Sequence, residues 1–182
     1  MADRILLIGM MGAGKSSVGR LVAARLTWAH LDSDERIQKR TGRTVPQIFA
    51  ERGEAAFRAE EAQVLAEAVT GSEPCVVSVA GGAVLSADNR RLLRSGGLVV
   101  WLRAELPTLA TRVGRAEGRP LLNRDPLEDL TRLYTERRPL YQDLADVAID
   151  VDHISPSDVA DKVVAAHHAH RVRAAQRDGA GA

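Results

Sequence analysis

The sequence predicts an α/β fold in which helices cover a mostly parallel sheet. Five short apolar runs rich in Val, Ile and Leu alternate with longer segments that have helical patterns. Strands that are buried on both faces have this composition. A glycine-rich turn also separates the first apolar run from the first helical segment. Alternation of this kind implies parallel strands joined by right-handed crossovers.

The strands are predicted from the apolar runs, of which the second is the weakest. The runs cover residues 5–8, 28–31, 75–79, 98–102 and 147–151. Ligands of open parallel sheets bind at the carboxyl ends of the strands. The residues that follow each run are therefore the first candidates for a functional site.

The helices are predicted from capping residues and from apolar faces. Thr44-Val45-Pro46-Gln47 has the pattern of a capping box with proline in the first turn. Residues 54–69 place small apolar side chains along one helical face. Further helices are expected over 16–26, from Ser86 to Gly96-Gly97, and from the capped prolines at 125–126 and 155–156.

Length and composition favour one globular domain. The chain has 182 residues and a formal net charge of +1, which gives no electrostatic case for nucleic acid or an anionic membrane as a partner. It has one cysteine, and its N-terminus lacks a secretory pattern. We therefore expect a cytoplasmic location, a single domain over residues 1–170, and a disordered tail over 171–182.

A phosphate-binding loop is predicted at Gly9–Ser16. This segment fits the pattern of Gly, four residues and Gly-Lys-Ser between a strand and a helix. Backbone N–H groups would face an anion, Lys15 would reach the β- and γ-phosphates, and Ser16 would bind Mg²⁺. The alternative is a glycine-rich turn with a surface lysine. The predicted ATP contacts in this stretch are Gly12, Ala13, Gly14, Lys15, Ser16 and Ser17.

Two carboxylates follow the second apolar run, in Asp32-Ser33-Asp34. Mg²⁺ is usually held by few protein ligands together with phosphates and water, so Asp32 is a candidate metal ligand with Ser16. Asp34 could contact an acceptor hydroxyl and take its proton. The alternative is that Ser33 or Asp34 simply caps the next helix.

Two arginines are candidates for binding a carboxylate. Arg58 stands among acidic residues in a helical segment, and spacing alone favours a surface ion pair there. Arg137 precedes a proline inside another helical pattern, where an exposed arginine is the plain interpretation. If the fold brings both to one pocket, they could bind a carboxylate bidentately.

Glycines and a basic loop complete the candidate set. Gly81 and Gly82 follow the third apolar run, where a substrate could lie against their backbone N–H groups. A plain strand-to-helix turn is the alternative. Residues 114–119 form a polar, glycine-flanked segment, which reads as a mobile lid. When it closes, Arg119 could neutralise charge on the transferring phosphoryl group; otherwise it is a solvated arginine.

Taken in order, these motifs resemble the shikimate kinase family over residues 4–165. The resemblance implies a P-loop, nucleoside monophosphate kinase-like fold with a five-stranded parallel sheet. It also implies a substrate-binding insertion over about 32–61 and a lid over about 114–124. The motifs are Gly-Met-Met-Gly-Ala-Gly-Lys-Ser at 9–16, Asp-Ser-Asp at 32–34, Thr-Gly-Arg at 41–43, Ile-Phe at 48–49, Gly-Glu-x-x-Phe-Arg-x-x-Glu at 53–61, Gly-Gly-Ala at 81–83, Arg-Pro-Leu-Leu at 119–122 and Arg-x-Pro-Leu-Tyr at 137–141.

The resemblance also implies an activity, ATP-dependent phosphorylation of the shikimate 3-hydroxyl. We expect Mg²⁺ as the cofactor and a monomeric protein. By position, Arg58 and Arg137 would bind the shikimate carboxylate, and Asp34 would bind ring hydroxyls and act as base. Gly81 and Gly82 would be backbone contacts. Lys15, Asp34 and Arg119 would be the catalytic residues, and Arg112 would lie against the adenine.

Two positions depart from the family pattern. Ala80 stands where the family usually has a glycine, which is harmless only if the backbone φ of Ala80 is negative. Asp152–Pro156 lacks the arginine that often contacts adenine there, and His153 or backbone groups would have to replace it. The alternatives are a kinase for another polyol acid such as gluconate, or a regulatory module that binds ATP without turnover.

Overall fold

The protein is described by a computed structural model that covers residues 3–114, 121 and 126–179. A five-stranded sheet lies at its centre, in the order β2-β3-β1-β4-β5, with every neighbouring pair parallel. The strands are β1 (Arg4–Ile8), β2 (Ala29–Asp32), β3 (Cys75–Ser78), β4 (Leu98–Arg103) and β5 (Val147–Asp150). Each predicted apolar run overlaps one of these strands, so the α/β prediction is confirmed.

Seven α-helices occur in the described part of the chain. They are α1 (Lys15–Leu26), α2 (Ser33–Thr41), α3 (Val45–Thr70), α4 (Ala87–Gly96), α5 (Leu106–Val113), α6 (Pro126–Leu144) and α7 (Pro156–Gly179). The predicted capping box is present, because Gln47 N–H donates to Thr44 Oγ1 and Thr44 N–H donates to Gln47 Oε1. α3 is interrupted at Gly53, whose φ of 77° only glycine adopts readily.

Two helical segments differ from the sequence-based expectation. α5 was not predicted, although Arg112 within it was. The prediction of a disordered tail from residue 171 is wrong for residues 171–179, which continue α7. Alanine, arginine and glutamine have high helix propensity, and they extend a helix that has already begun to pack upstream. The last three residues of the predicted tail lie outside the described residues.

The sheet positions the site by burying its central strands. The side chains of β1 are all buried, and the main apolar core forms around this strand and β4. A second, small cluster of Ile37, Ile48, Phe57 and Val64 joins α2 to α3. Both helices therefore form a packed segment inserted between β2 and β3. Among the described helices, none is long and apolar enough to cross a membrane.

Candidate active site

A cavity of about 570 Å³ opens at the carboxyl ends of β1, β2 and β3. The lining residues from the phosphate loop, α1 and α5 include Gly12, Gly14, Lys15, Ser16, Ser17 and Arg112. Asp32, Asp34, Arg58, Gly81, Gly82 and Arg137 line the same cavity. Residues that are far apart in the sequence thus share one cavity. Arg119 and most of the predicted lid lie outside the described residues.

The phosphate loop has the backbone that its glycines predict. Gly12 and Gly14 have φ of 83° and 92°, in the left-handed region. Gly14 is the N-cap of α1 and supplies no side-chain cap, so the helix begins with its N–H groups available for an anion. Ala13 does not line the cavity. Its side chain is buried, and its N–H donates to Met10 O at 3.2 Å within the loop.

The Lys15 ammonium is held inside the loop. Nζ donates to the carbonyl oxygens of Gly9 at 2.8 Å and Met10 at 3.0 Å. These contacts place a positive charge at the anion-binding end of α1. The alternative of a solvated surface lysine therefore does not apply.

Ser16 and Asp32 meet at the end of β2. Ser16 Oγ donates to Asp32 Oδ2 at 2.5 Å, while Asp32 Oδ1 accepts from the N–H groups of Asp34 and Glu35. Asp32 is therefore the N-cap of α2, and the alternative that Ser33 or Asp34 caps the helix is wrong. A hydroxyl and a carboxylate at this spacing offer the hard oxygen donors that Mg²⁺ prefers.

Ser33 ties β2 to the glycine turn that follows β3. Its Oγ donates to Ser78 O at 3.1 Å and accepts from Ala80 N–H at 2.7 Å, and both bonds are buried. Ala80 has no positive φ, so its methyl group adds no backbone strain at this position. Sequence analysis assigned Ser33 no such role, because the partners lie more than forty residues away.

Arg58 lines the cavity and also carries acidic partners. Its Nη1 donates to both carboxylate oxygens of Glu61, at 3.1 and 2.9 Å. Its Nη2 and Nε donate to Glu54 Oε1 at 2.9 and 3.3 Å. A Cβ added to Gly82 would lie only 2.6 Å from the guanidinium carbon of Arg58. The glycine therefore provides the space in which this guanidinium sits.

Arg137 is buried on α6, with 2% of its surface exposed. The plain interpretation of an exposed arginine is wrong for this residue. Its Nη1 lies 3.7 Å from the position of a Cβ on Gly81, and the hydroxyl of Tyr141 donates to Gly81 O at 2.6 Å. Burial raises the pKa of the Tyr141 hydroxyl well above its ordinary value, so this donor stays protonated.

Glu61 is a cavity residue that sequence analysis did not single out. It is 1% exposed, and it faces Arg58 at one turn's distance along α3. Burial raises the pKa of Glu61 to about 7, although the guanidinium of Arg58 acts to lower it. It is the last residue of the Gly-Glu-x-x-Phe-Arg-x-x-Glu motif, whereas the adjacent Glu60 contacts Arg40 and Arg52 instead.

Arg112, the predicted adenine contact, lines the cavity. Its Nη2 donates to Val151 O at 2.9 Å, which fastens α5 to the end of β5. His153 has a left-handed φ of 59°, but its side chain is exposed and is not among the residues that line the cavity. Replacement of the missing adenine-contacting arginine by His153 therefore stays a prediction.

Comparison with known proteins is consistent with this geometry. The family model described as "Shikimate kinase" matches residues 11–168. The shikimate kinase of Ruegeria pomeroyi is 42% identical over 163 residues, which is 89% of this chain and 83% of that protein. The shikimate kinase of Thiobacillus denitrificans is 46% identical over 149 residues, with 81% of each chain covered.

Solved structures show the same relationship. Shikimate kinase from Acinetobacter baumannii in complex with shikimate superposes with a TM-score of 0.84 at 37% identity, over 90% of this chain and 92% of that one. A gluconokinase from Sinorhizobium meliloti has a TM-score of 0.59 at 21% identity, over 96% of this chain and 97% of that one. The second likeness carries the fold alone.

Proposed function

This chain belongs to the shikimate kinase family of small-molecule kinases, and we propose that it transfers the γ-phosphoryl group of ATP to the 3-hydroxyl of shikimate. One observation carries the proposal. A single cavity is lined both by the phosphate-loop residues Lys15 and Ser16 and by Arg58 and Arg137. A phosphate donor and a small carboxylate acceptor can therefore meet within it.

On the donor side, the N-terminus of α1 and Lys15 would bind the β- and γ-phosphates. The Lys15 ammonium, now on the carbonyls of Gly9 and Met10, would exchange these partners for phosphate oxygens. Ser16 and Asp32 would hold Mg²⁺, which when bound neutralises charge on the phosphate oxygens. Arg112 would contact the adenine, and Arg119 of the lid would stabilise the transferring group.

On the acceptor side, Arg58 and Arg137 would bind the carboxylate and so orient the ring. A buried guanidinium is costly unless an anion meets it, and Arg137 Nε has no hydrogen-bond partner within the described part of the chain. The backbone at Gly81 and Gly82 would lie against the substrate. Asp34, on the same wall, would bind the reacting hydroxyl and accept its proton. Catalysis would then consist mainly of positioning and charge stabilisation.

The direct test is ADP release from ATP with shikimate, quinate or gluconate as the acceptor. We expect release that depends on shikimate, with much lower kcat/KM for the other two acids. Preference for gluconate would indicate the other polyol-acid kinase. ATP binding without release for any acid would indicate the non-catalytic module.

The arginine pair can be tested separately by Arg58→Ala and Arg137→Ala. A hydrogen bond to a charged group contributes roughly 1.5–3 kcal/mol, so each variant should raise the shikimate KM about 10- to 150-fold. The KM for ATP should change little. Arg138→Ala is the matched control, because Arg138 is exposed and its guanidinium lies over the Tyr134 ring instead. Equal weakening of both substrates would contradict the carboxylate site.

A further inference from the structure

The hydrogen bonds of Arg58 raise a problem for any incoming carboxylate. All three guanidinium nitrogens already donate to carboxylates, Nη1 to Glu61 and the other two to Glu54. A substrate carboxylate that binds Arg58 must then share this cation with both glutamates or displace one of them. The negative charge of the substrate also comes to lie beside the glutamate that stays on Arg58.

The two glutamates differ in what they can do when this happens. The side chain of Glu54 is 52% exposed, so water can solvate it as it leaves Arg58. Glu61 is 1% exposed and has no such route. A buried carboxylate that loses its share of a counterion, or gains a negative neighbour, is stabilised by taking a proton.

Charged and titratable groups on three helices face Glu61. Arg58 lies on α3, Asp34 at the start of α2, and Arg137 and Tyr141 on α6. Asp34 favours the protonated form of Glu61, whereas both arginines favour the ionised form. These effects and burial together leave the pKa at about 7 in the ligand-free protein. A modest added negative charge therefore changes the protonation state at neutral pH.

We propose that Glu61 takes up a proton from solvent when the shikimate carboxylate binds at Arg58 and Arg137, and returns it when the product leaves. The proposal rests on the proposed function, since it requires an acid substrate in this cavity. The proton resides on the carboxylate of Glu61, and no other bond forms or breaks. Substrate capture is thereby coupled to pH through a group that takes no part in phosphoryl transfer.

The magnitude follows from the titration of a single group. At pH 7.5 a carboxyl with a pKa of about 7 is roughly one quarter protonated, and a rise of one unit brings this to roughly three quarters. About half a proton would then be taken up per shikimate bound. Because shikimate binding raises the pKa of Glu61, protonation of Glu61 stabilises the complex with shikimate. Shikimate affinity should therefore be highest below pH 7 and should fall as the pH increases through 7–8. The fall should be about tenfold for each unit by which binding raises the pKa of Glu61.

The experiment is isothermal titration of the full chain with shikimate at pH 7.5, in Pipes, Hepes and Tris. The slope of binding enthalpy against buffer ionisation enthalpy measures the protons exchanged. We expect uptake of about 0.3–0.8 proton for the wild-type protein. Glu61→Gln, which mimics the protonated form, should bind shikimate with a slope near zero. Glu54→Gln is the matched control, since it alters the exposed partner of the same arginine and should retain the uptake.

The outcomes separate this inference from the proposed function. Shikimate binding by the wild-type protein with no proton uptake, or with proton release, overturns the inference and leaves the kinase assignment intact. Loss of uptake in Glu54→Gln but not in Glu61→Gln overturns it as well. No shikimate binding in any buffer defeats both. If Glu61→Gln does not fold, a wild-type slope that shows no uptake or shows release still overturns the inference.

Discussion

Replacement of Gly82 by alanine tests whether this glycine exists to make room for Arg58. Gly82 has a φ of −87°, so alanine fits the backbone there. The new Cβ would lie 2.6 Å from the Arg58 guanidinium carbon. Carbon atoms pack at about 3.5–4.0 Å, so the guanidinium must move by about 1 Å. The guanidinium can move because it lies at the far end of a flexible side chain.

The expected effect is selective for the acid substrate. A shift of about 1 Å is enough to lose a charge-assisted hydrogen bond, which is worth roughly 1.5–3 kcal/mol. Gly82→Ala should therefore raise the KM for shikimate about 10- to 150-fold. The KM for ATP should stay within about twofold, since the phosphate loop is untouched. Initial rates at varied concentrations of each substrate measure both quantities.

Two controls separate displacement of Arg58 from other effects. Gly71→Ala is the matched glycine control, because its added Cβ would meet no atom closer than 3.7 Å. Shikimate KM and melting temperature should both remain near wild type in that variant. In an Arg58→Ala background, Gly82→Ala should add little, since residues that act through one group are not additive. A full Gly82→Ala effect in that background would refute the reasoning.

Two further predictions concern the walls of the cavity. Tyr141→Phe removes the 2.6 Å hydrogen bond that the buried Tyr141 hydroxyl donates to Gly81 O. This should cost about 0.5–1.5 kcal/mol and lower the melting temperature by roughly 1–6 °C in calorimetry, whereas an unchanged transition would contradict it. Asp34→Asn should lower the single-turnover rate of phosphoryl transfer by about 10²- to 10⁴-fold and leave ATP binding nearly intact, and an unchanged rate would remove Asp34 as the base.

Much of the fold follows from local signals. Five apolar runs predicted five strands. β1, β3 and β4 are largely buried, as such composition indicates, whereas the edge strands β2 and β5 are partly exposed. The capping box at Thr44 placed the start of α3 at Val45, since its two hydrogen bonds span only three residues. α5 was not predicted because it has only eight residues and no side-chain cap that would indicate its start in the sequence. The length of α7 was underestimated because the side chains of residues 171–176 are exposed, so no buried apolar face marks this part of the helix.

The site was predictable where its chemistry lies within one motif. The phosphate loop and Asp32-Ser33-Asp34 carry their signals in consecutive residues, and the structure places both at the cavity. The link from Ser33 to Ala80 joins residues forty-seven positions apart, and no local pattern indicates it. The family motif ends on Glu61 and not on Glu60, but spacing alone does not show that Glu61 faces the cavity, which depends on the rotation of α3 against α2 and α6.

The two arginines show why spacing alone was a poor guide. For Arg58, a helix ion pair and a substrate contact were weighed as alternatives, yet the structure contains the ion pairs on the cavity wall itself. The glutamates supply the anions without which a half-buried guanidinium would be costly in the ligand-free protein. Arg137 is more deeply buried than Arg58, and it takes part in none of the described ion pairs. An acid substrate therefore gains more binding free energy at Arg137 than at Arg58. Arg58 would then adjust its partners as the substrate arrives, and a buried glutamate able to accept a proton makes that adjustment less costly.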